Sequence, residues 1–429
     1  MVLSKKERKM EIIKKIAGFI RKFRFLLFLG VAFLSVFDIF AFDFGGILKN
    51  TSTFESNENN DFKLNQKNSA SVWLRAPFDK SGKNYFASDF IYNFEADMQN
   101  EIYKNILDLN LFEFSLSKEM ENFEIGMHIG RFYFADLTGK IFSQNADGVI
   151  LGFKNNWLKF SAYGAYTGFL NALNTEIITT SPQDFLYKIG NENKEILGIE
   201  NSLYSFNADY DKVYDFAEKY VVADFALSFP YLFANQTVAV EFLAALHTED
   251  FDYNRFYATF LMDGPIWQSL FYKIYSTFGF VDYDSKMKTT NLSEIKFEYF
   301  LKKASFGINA IYASGEQGNL SSFVGFTKNT STYSLQEFLY SGILKAGMNI
   351  AFRPLECLLF TADSDVIFNA SAGDKHEDVE YYGFQYSVGA LWQVKSDFQL
   401  GLAACQFIDK DNSDNVKKSY FDIKAVLAF

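Results

Sequence analysis

The sequence predicts an all-β protein, a transmembrane antiparallel up-and-down β-barrel of about 18 strands. Three observations carry that expectation. Beyond residue 41 the chain is a succession of segments in which apolar and polar side chains alternate, the period that sends neighbouring side chains to opposite faces of a strand. The polar breaks between those segments alternate short and long. Aromatic residues make up 19% of the chain, with 51 Phe and 25 Tyr, yet the mean hydropathy is only −0.06. A water-soluble chain would need a large core for so many rings. A barrel hangs them on an outer belt and keeps its polar set inside, so the average comes out near neutral.

The first element is a targeting segment. Lys5, Lys6, Arg8, Lys9, Lys14, Lys15, Arg21, Lys22 and Arg24 precede an apolar run from Phe25 to Phe37, and Ile39-Phe40-Ala41 offers a small residue for cleavage. The run is too short for a confident spanning helix, so residues 1–41 read as a signal peptide, with Met10 as an alternative start and an uncleaved anchor as the rival reading. Residues 42–429 then form one barrel domain. Nine of the 41 basic side chains and three of the 52 acidic ones lie in 1–41, leaving 32 and 49, a net charge of −17. That balance argues against nucleic acid as a partner, which needs basic patches. Cys357 and Cys405 fit no disulfide framework or metal pattern and read as free thiols.

The alternation places strands at approximately 44–55, 62–76, 84–97, 101–116, 122–134, 147–154, 156–167, 219–229 and 236–246. The second half continues at 254–262, 266–281, 291–302, 304–314, 336–352, 357–369, 379–394, 398–408 and 418–429. Scarce Pro, five in all, suits ladders that need their N–H groups. Within 101–116 the pattern changes face near Phe112-Glu113, which suggests a bulge.

Each strand sorts its residues. Tyr382, Phe384, Tyr386, Val388, Ala390 and Trp392 oppose Gln385, Ser387, Gly389 and Gln393, while Ile295, Phe297, Tyr299 and Leu301 oppose Glu294, Lys296 and Glu298. In 62–76, Gln66 and Asn68 fall on the apolar side. A Lys or Arg facing lipid at mid-bilayer costs about 2–4 kcal/mol, so the charged faces must point inward. The candidate lumen residues are Lys63, Lys67, Arg75 and Lys296 against Asp89, Glu95, Glu124, Asp224, Glu241, Glu294, Glu298, Asp363 and Asp365. The one large insertion, 168–218, is either a loop folded into the pore as a constriction or an outer cap.

Sequence signatures of nucleotide, metal and nucleophile chemistry are missing: no Walker loop, no GxGxxG after a strand, no HExxH and no GxSxG. His128, His247 and His376 are scattered, and His128 shares a face with Glu124. Acidic loop runs such as Asp282-Tyr-Asp284 lack EF-hand spacing. No cofactor, metal site or enzymatic activity is expected.

The last eleven residues end Phe421, Ile423, Ala425, Leu427 and Phe429 on one face and Tyr420, Asp422, Lys424, Val426 and Ala428 on the other. This ending resembles the C-terminal signal strand of bacterial outer-membrane barrels. The resemblance implies an integral outer-membrane location, with outer-membrane lipid as a partner, and recognition by the barrel-assembly machinery through Phe429. If both termini face the periplasm, the periplasmic breaks are the short ones, and 135–146, 168–218, 247–253, 282–290, 315–335, 370–378 and 409–417 lie outside. The stretch Gly130-Arg131-Phe-Tyr-Phe-Ala-Asp136-Leu-Thr138-Gly139 with Ala146-Asp147-Gly148 resembles large single-chain porins of the alginate-export type. That resemblance implies that Arg131, Asp136 and Asp147 line or brace the pore, although the parity of 122–134 puts Arg131 on the apolar side. The combined expectation is a porin that passes small polar solutes by diffusion, with mild cation preference from the acidic excess. The alternatives are a surface adhesin or structural barrel using its outer loops, and a substrate-specific oligosaccharide-type transporter.

Overall fold

The computed structural model describes residues 42–56, 62–99, 102–178, 212–249, 253–283, 286–315, 320–328, 340–370, 380–409 and 418–429. The expected signal peptide lies outside these residues, as do positions 179–211 of the long insertion.

The strands are β1 (Asp43–Ser56), β2 (Phe62–Pro77), β3 (Tyr85–Asp97), β4 (Ile102–Glu119), β5 (Phe123–Ala135), β6 (Ser143–Asn155), β7 (Lys159–Tyr166), β8 (Tyr220–Phe233) and β9 (Gln236–His247). They continue as β10 (Tyr253–Pro265), β11 (Leu270–Tyr283), β12 (Lys286–Phe300), β13 (Ala304–Ala313), β14 (Ile343–Leu355), β15 (Leu358–Asn369), β16 (Glu380–Gln393), β17 (Phe398–Asp409) and β18 (Lys418–Ala428). Each pairs antiparallel with its sequence neighbours, and β18 pairs with β1. The sheet is therefore a closed 18-stranded barrel, which leaves no open edge. No helix occurs among the described residues.

Closure is completed by the chain's last residue. The Gly46 N–H donates to the Phe429 carbonyl (2.8 Å) and the Phe429 N–H to the Gly46 carbonyl (3.0 Å). Gly46 admits the Phe429 ring because a Cβ there would sit 2.5 Å from it. The turns on the side of the termini are short. Between β8 and β9 only Ala234 and Asn235 intervene, both with positive φ, the geometry whose twist matches two antiparallel strands.

The apolar faces point outward. Phe225, Phe242, Phe260, Phe278 and Val388 are each more than half exposed, an arrangement suited to hydrocarbon. Three of the four tryptophans, Trp157, Trp267 and Trp392, are exposed at or next to the short-turn end, forming an aromatic girdle.

Several sequence expectations shift: β6 starts at Ser143 and not 147, β11 at Leu270 and not 266, and β12 at Lys286 and not 291. The bulge in β4 lies at Asn110, because Leu109 pairs with Phe90 and Leu111 with Asp89; the face therefore changes before Phe112-Glu113. Strand β14 starts at Ile343 and not near residue 336, because buried Tyr340 and Ser341 turn inward and Gly342 takes a positive φ. Neither Cys357 nor Cys405 forms a disulfide among the described residues.

Candidate functional site

The barrel has a second, internal core. Segments 136–142, 167–178 and 320–328, all from the long-loop end, fold into the lumen and bury Ile141, Phe142, Ile177, Phe323 and Phe326. These pack on wall residues Tyr163, Val222, Leu243, Tyr257, Tyr275 and Leu292 from β7 to β12. Backbone bonds knit the segments together: Phe326 N–H donates to the Ile141 carbonyl (2.8 Å) and Ile178 N–H to the Phe326 carbonyl (2.9 Å). Buried Arg255 of β10 donates to the carbonyls of Gly325 (2.9 Å) and Ile178, and the Tyr257 hydroxyl to that of Val324 (2.7 Å). One side of the lumen is thereby filled. The half-exposed inward residues lie mostly on β13–β18 and β1–β4, the arc that the internal core leaves uncovered.

The three residues of the Gly130–Gly148 stretch build this filling. Asp136 is a turn organiser whose carboxylate accepts from Thr138 N–H (2.8 Å), Thr138 Oγ1 (2.5 Å), Ile141 N–H (2.9 Å) and Phe142 N–H (2.8 Å). Arg131 and Asp147 are cross-strand partners on the face that parity assigns to lipid, yet Arg131 is only 5% exposed. Gly130 has φ +119 at the point where a Cβ would strike the Phe112 carbonyl. Arg131 donates to Asp147 (2.9 and 2.6 Å), Asp108 (3.1 Å), and the carbonyls of Leu109 (3.0 Å) and Phe169 (2.6 Å). It is a clamp between the wall and the foot of the long loop, so it does not face lipid as the parity of 122–134 implied.

The register puts the expected lumen residues on the inward face, but burial divides them. Asp224 and Glu241 are almost wholly buried, beside Tyr163 and under segment 136–142, where Glu241 accepts from Leu137 N–H at 2.9 and 3.1 Å. Glu294 lies under Lys140 at 3.8 Å. Asp365 pairs with Lys345 (3.2 Å) and Lys296 with Glu298 (2.9 Å), while Asp363 stays half-buried beside Ser387. Asp89 accepts from Asn110 (2.8 Å), and Lys63, Arg75 and Glu124 stay at least partly exposed. Lys67, half exposed, pairs with Glu95. His128 bonds Glu113 of β4, not Glu124.

The charged stretch on the uncovered arc of the lumen was only partly legible. Lys424, Thr51 and Lys67 lie side by side across β18, β1 and β2, and Lys49 is two residues along β1 on the same face. Lys49 is close enough to feel both other ammonium groups. Glu176 projects from the inward segment 167–178, close to Lys328 and within electrostatic reach of Lys67 and Glu95. Asn174 anchors that segment on Asp108 (2.8 Å) and the Glu176 N–H on Gln144 (2.9 Å). Alternation alone would have found Lys49 and Lys424; no local signal marks Glu176. Among the described residues no group of three His, Cys, Asp or Glu side chains could hold a metal.

No family model and no curated protein sequence matches the chain. Solved structures do. OccK9 (OpdG) of Pseudomonas aeruginosa superposes with a TM-score of 0.59 at 8% identity, covering 92% of this chain and 99% of that one. OccK2 (OpdF) of the same organism, in complex with glucuronate, gives 0.58 at 10% identity over 91% and 98%. Its outer membrane protein opdK gives 0.55 at 9% over 90% and 99%. The chain therefore has the fold of an integral outer-membrane porin barrel. These likenesses give no support to the alginate-export resemblance, whose three marker residues here serve a turn and a clamp.

Proposed function

We propose that this protein is an outer-membrane channel for the diffusion of small hydrophilic solutes, and that its narrow passage favours solutes carrying an anionic group. The observation that carries this reading is the cluster of Lys49, Lys67 and Lys424 on the open arc of the lumen. The acidic excess of the inward face argues for the opposite preference, toward cations. Burial weighs against it, since Asp224, Glu241 and Glu294 are withdrawn behind the internal core and the field at a pore comes from charges that face its water. The glucuronate bound by OccK2, an acidic sugar, supports the same direction.

Glu176, within electrostatic reach of Lys67, opposes the lysines with a negative charge and gives a transverse field that orients a dipolar solute, which also suits an oligosaccharide-type transporter with acidic units. The strand ending on Phe429 is the segment we propose for reading by the barrel-assembly machinery. Planar-bilayer recording in a salt gradient tests the proposal. Steady steps with an anion-selective reversal potential are expected; a cation-selective potential overturns the charge reading, and no steps at all would favour a plugged adhesin.

A further inference from the structure

The outer face of β1 and β2 holds a polar patch that a lipid belt does not explain. Along β1 the outward column runs Phe44, Gly46, Leu48, Asn50, Ser52, Phe54; along β2 it runs Leu64, Gln66, Asn68, Ala70, Val72. Leu48 and Phe54, which flank the polar residues, are 45% and 41% exposed. Asn50, Ser52, Gln66 and Asn68 therefore sit inside a hydrocarbon band about 25 Å tall, not at its rim.

Their bonding is incomplete. Asn50 Nδ2 donates to Asn68 Oδ1 (2.7 Å), Ser52 Oγ to Gln66 Oε1 (2.8 Å), and Gln66 Nε2 to the same Asn68 oxygen (3.4 Å). The Asn68 amide N–H groups meet no acceptor among the described residues. A second outward polar set, Ser276, Asn291 and Ser293 on β11 and β12, shows the contrast. There Asn291 Nδ2 donates to Ser276 Oγ and the Thr277 carbonyl, both at 3.1 Å, and Ser293 Oγ donates to Asn291 Oδ1 (2.9 Å). That set is closed on itself, while the β1–β2 set is left open where acyl chains offer no partner.

We propose that the β1–β2 face is a contact between two copies of this chain, related by a two-fold axis near Asn68. A carboxamide carries both donor and acceptor, so identical patches complement one another when the same surface meets itself. Small side chains beside it, Ala70 and Ala425, let two walls approach closely. The inference rests on the outer wall alone and is independent of what the lumen carries.

The test uses the full chain with the exposed Cys357 changed to Ser. Asn68→Cys, oxidised in native outer membranes, should give a disulfide-linked dimer, whereas Phe242→Cys on the far wall should not. Native mass spectrometry from mild detergent should show a dimer of the wild type, lost in the double variant Asn50→Leu/Asn68→Leu. That variant should keep heat-modifiable gel migration and the single-channel step, which shows that the barrel still closes. A wild-type monomer, a trimer, lipopolysaccharide held on a monomer, a dimer that survives the double variant, or equal cross-linking from Phe242→Cys would each overturn the proposal.

Discussion

Arg131 and Asp147 face each other across the β5–β6 ladder in a two-toothed ion pair, and the same guanidinium reaches Asp108 on β4 and the Phe169 carbonyl at the foot of the long insertion. Four pieces of chain thus converge on one buried cation. Removing it leaves two carboxylates and two carbonyls short of a donor.

Arg131→Ala should destabilise the barrel by about 3–5 kcal/mol, the cost of breaking a buried pair from one side. Arg131→Lys should recover only part, because an ammonium cannot span Asp147 in two bonds while serving Asp108. Urea unfolding followed by tryptophan fluorescence measures both, and limited proteolysis should cut the 167–217 region faster in each variant.

Lys67→Glu should move the reversal potential toward cations. The exchange changes the charge by two units, each worth ~1 kcal/mol at close range in water, so the permeability ratio should change roughly thirty-fold. Asp224→Asn, behind the internal core, should leave the potential unchanged, since that side chain is fully buried. A salt-gradient recording of the two variants separates accessible from hidden charge.

Asp136→Ala deletes the acceptor for four donors of segment 136–142. At about 1 kcal/mol net per hydrogen bond, the turn should loosen and withdraw from the lumen. The expected readout is a larger and noisier single-channel conductance, with the fold and gel shift retained.

The short turn 78–84 should be sensitive to acid. Ser81 and Asn84 hydrogen-bond the Asp79 carboxylate and hold its pKa below the usual range, Ser81 contributing most. A group whose folded pKa is depressed stabilises above its unfolded pKa, about 3.9, and loses that contribution as pH falls through the folded value. The protection of the Gly82 and Asn84 amides, taken relative to the intrinsic exchange rate at each pH, should therefore fall below about pH 4, and Asp79→Asn should flatten the dependence.

Much of the architecture was legible because a barrel wall repeats one local rule. Alternation over Tyr382–Trp392 or Phe421–Phe429 states which side of the wall a residue takes, and lipid outside with water inside enforces it at every position. The strand count and the near-coincident bounds of β2, β9, β13 and β17 follow from that rule. Where it fails, a backbone device intervenes. The Asn110 bulge and the positive φ of Gly130 change the environment of β4 and Arg131 without any mark in hydropathy.

By itself the sequence determined the closed wall, its outward belt and the parity of Lys67, Glu95, Asp363 and their fellows. Only the tertiary structure decided which of those inward charges meet water. Three loop segments far apart in the chain, 136–142, 167–178 and 320–328, bury one side of the lumen and leave Lys49, Lys67 and Lys424 on the other, with Glu176 within electrostatic reach of Lys67. Such contacts join residues up to nearly 200 positions apart, as between Ser143 and Thr327. No period of two or of 3.6 encodes a meeting of that range, because it is fixed by the packing of the whole closed cylinder.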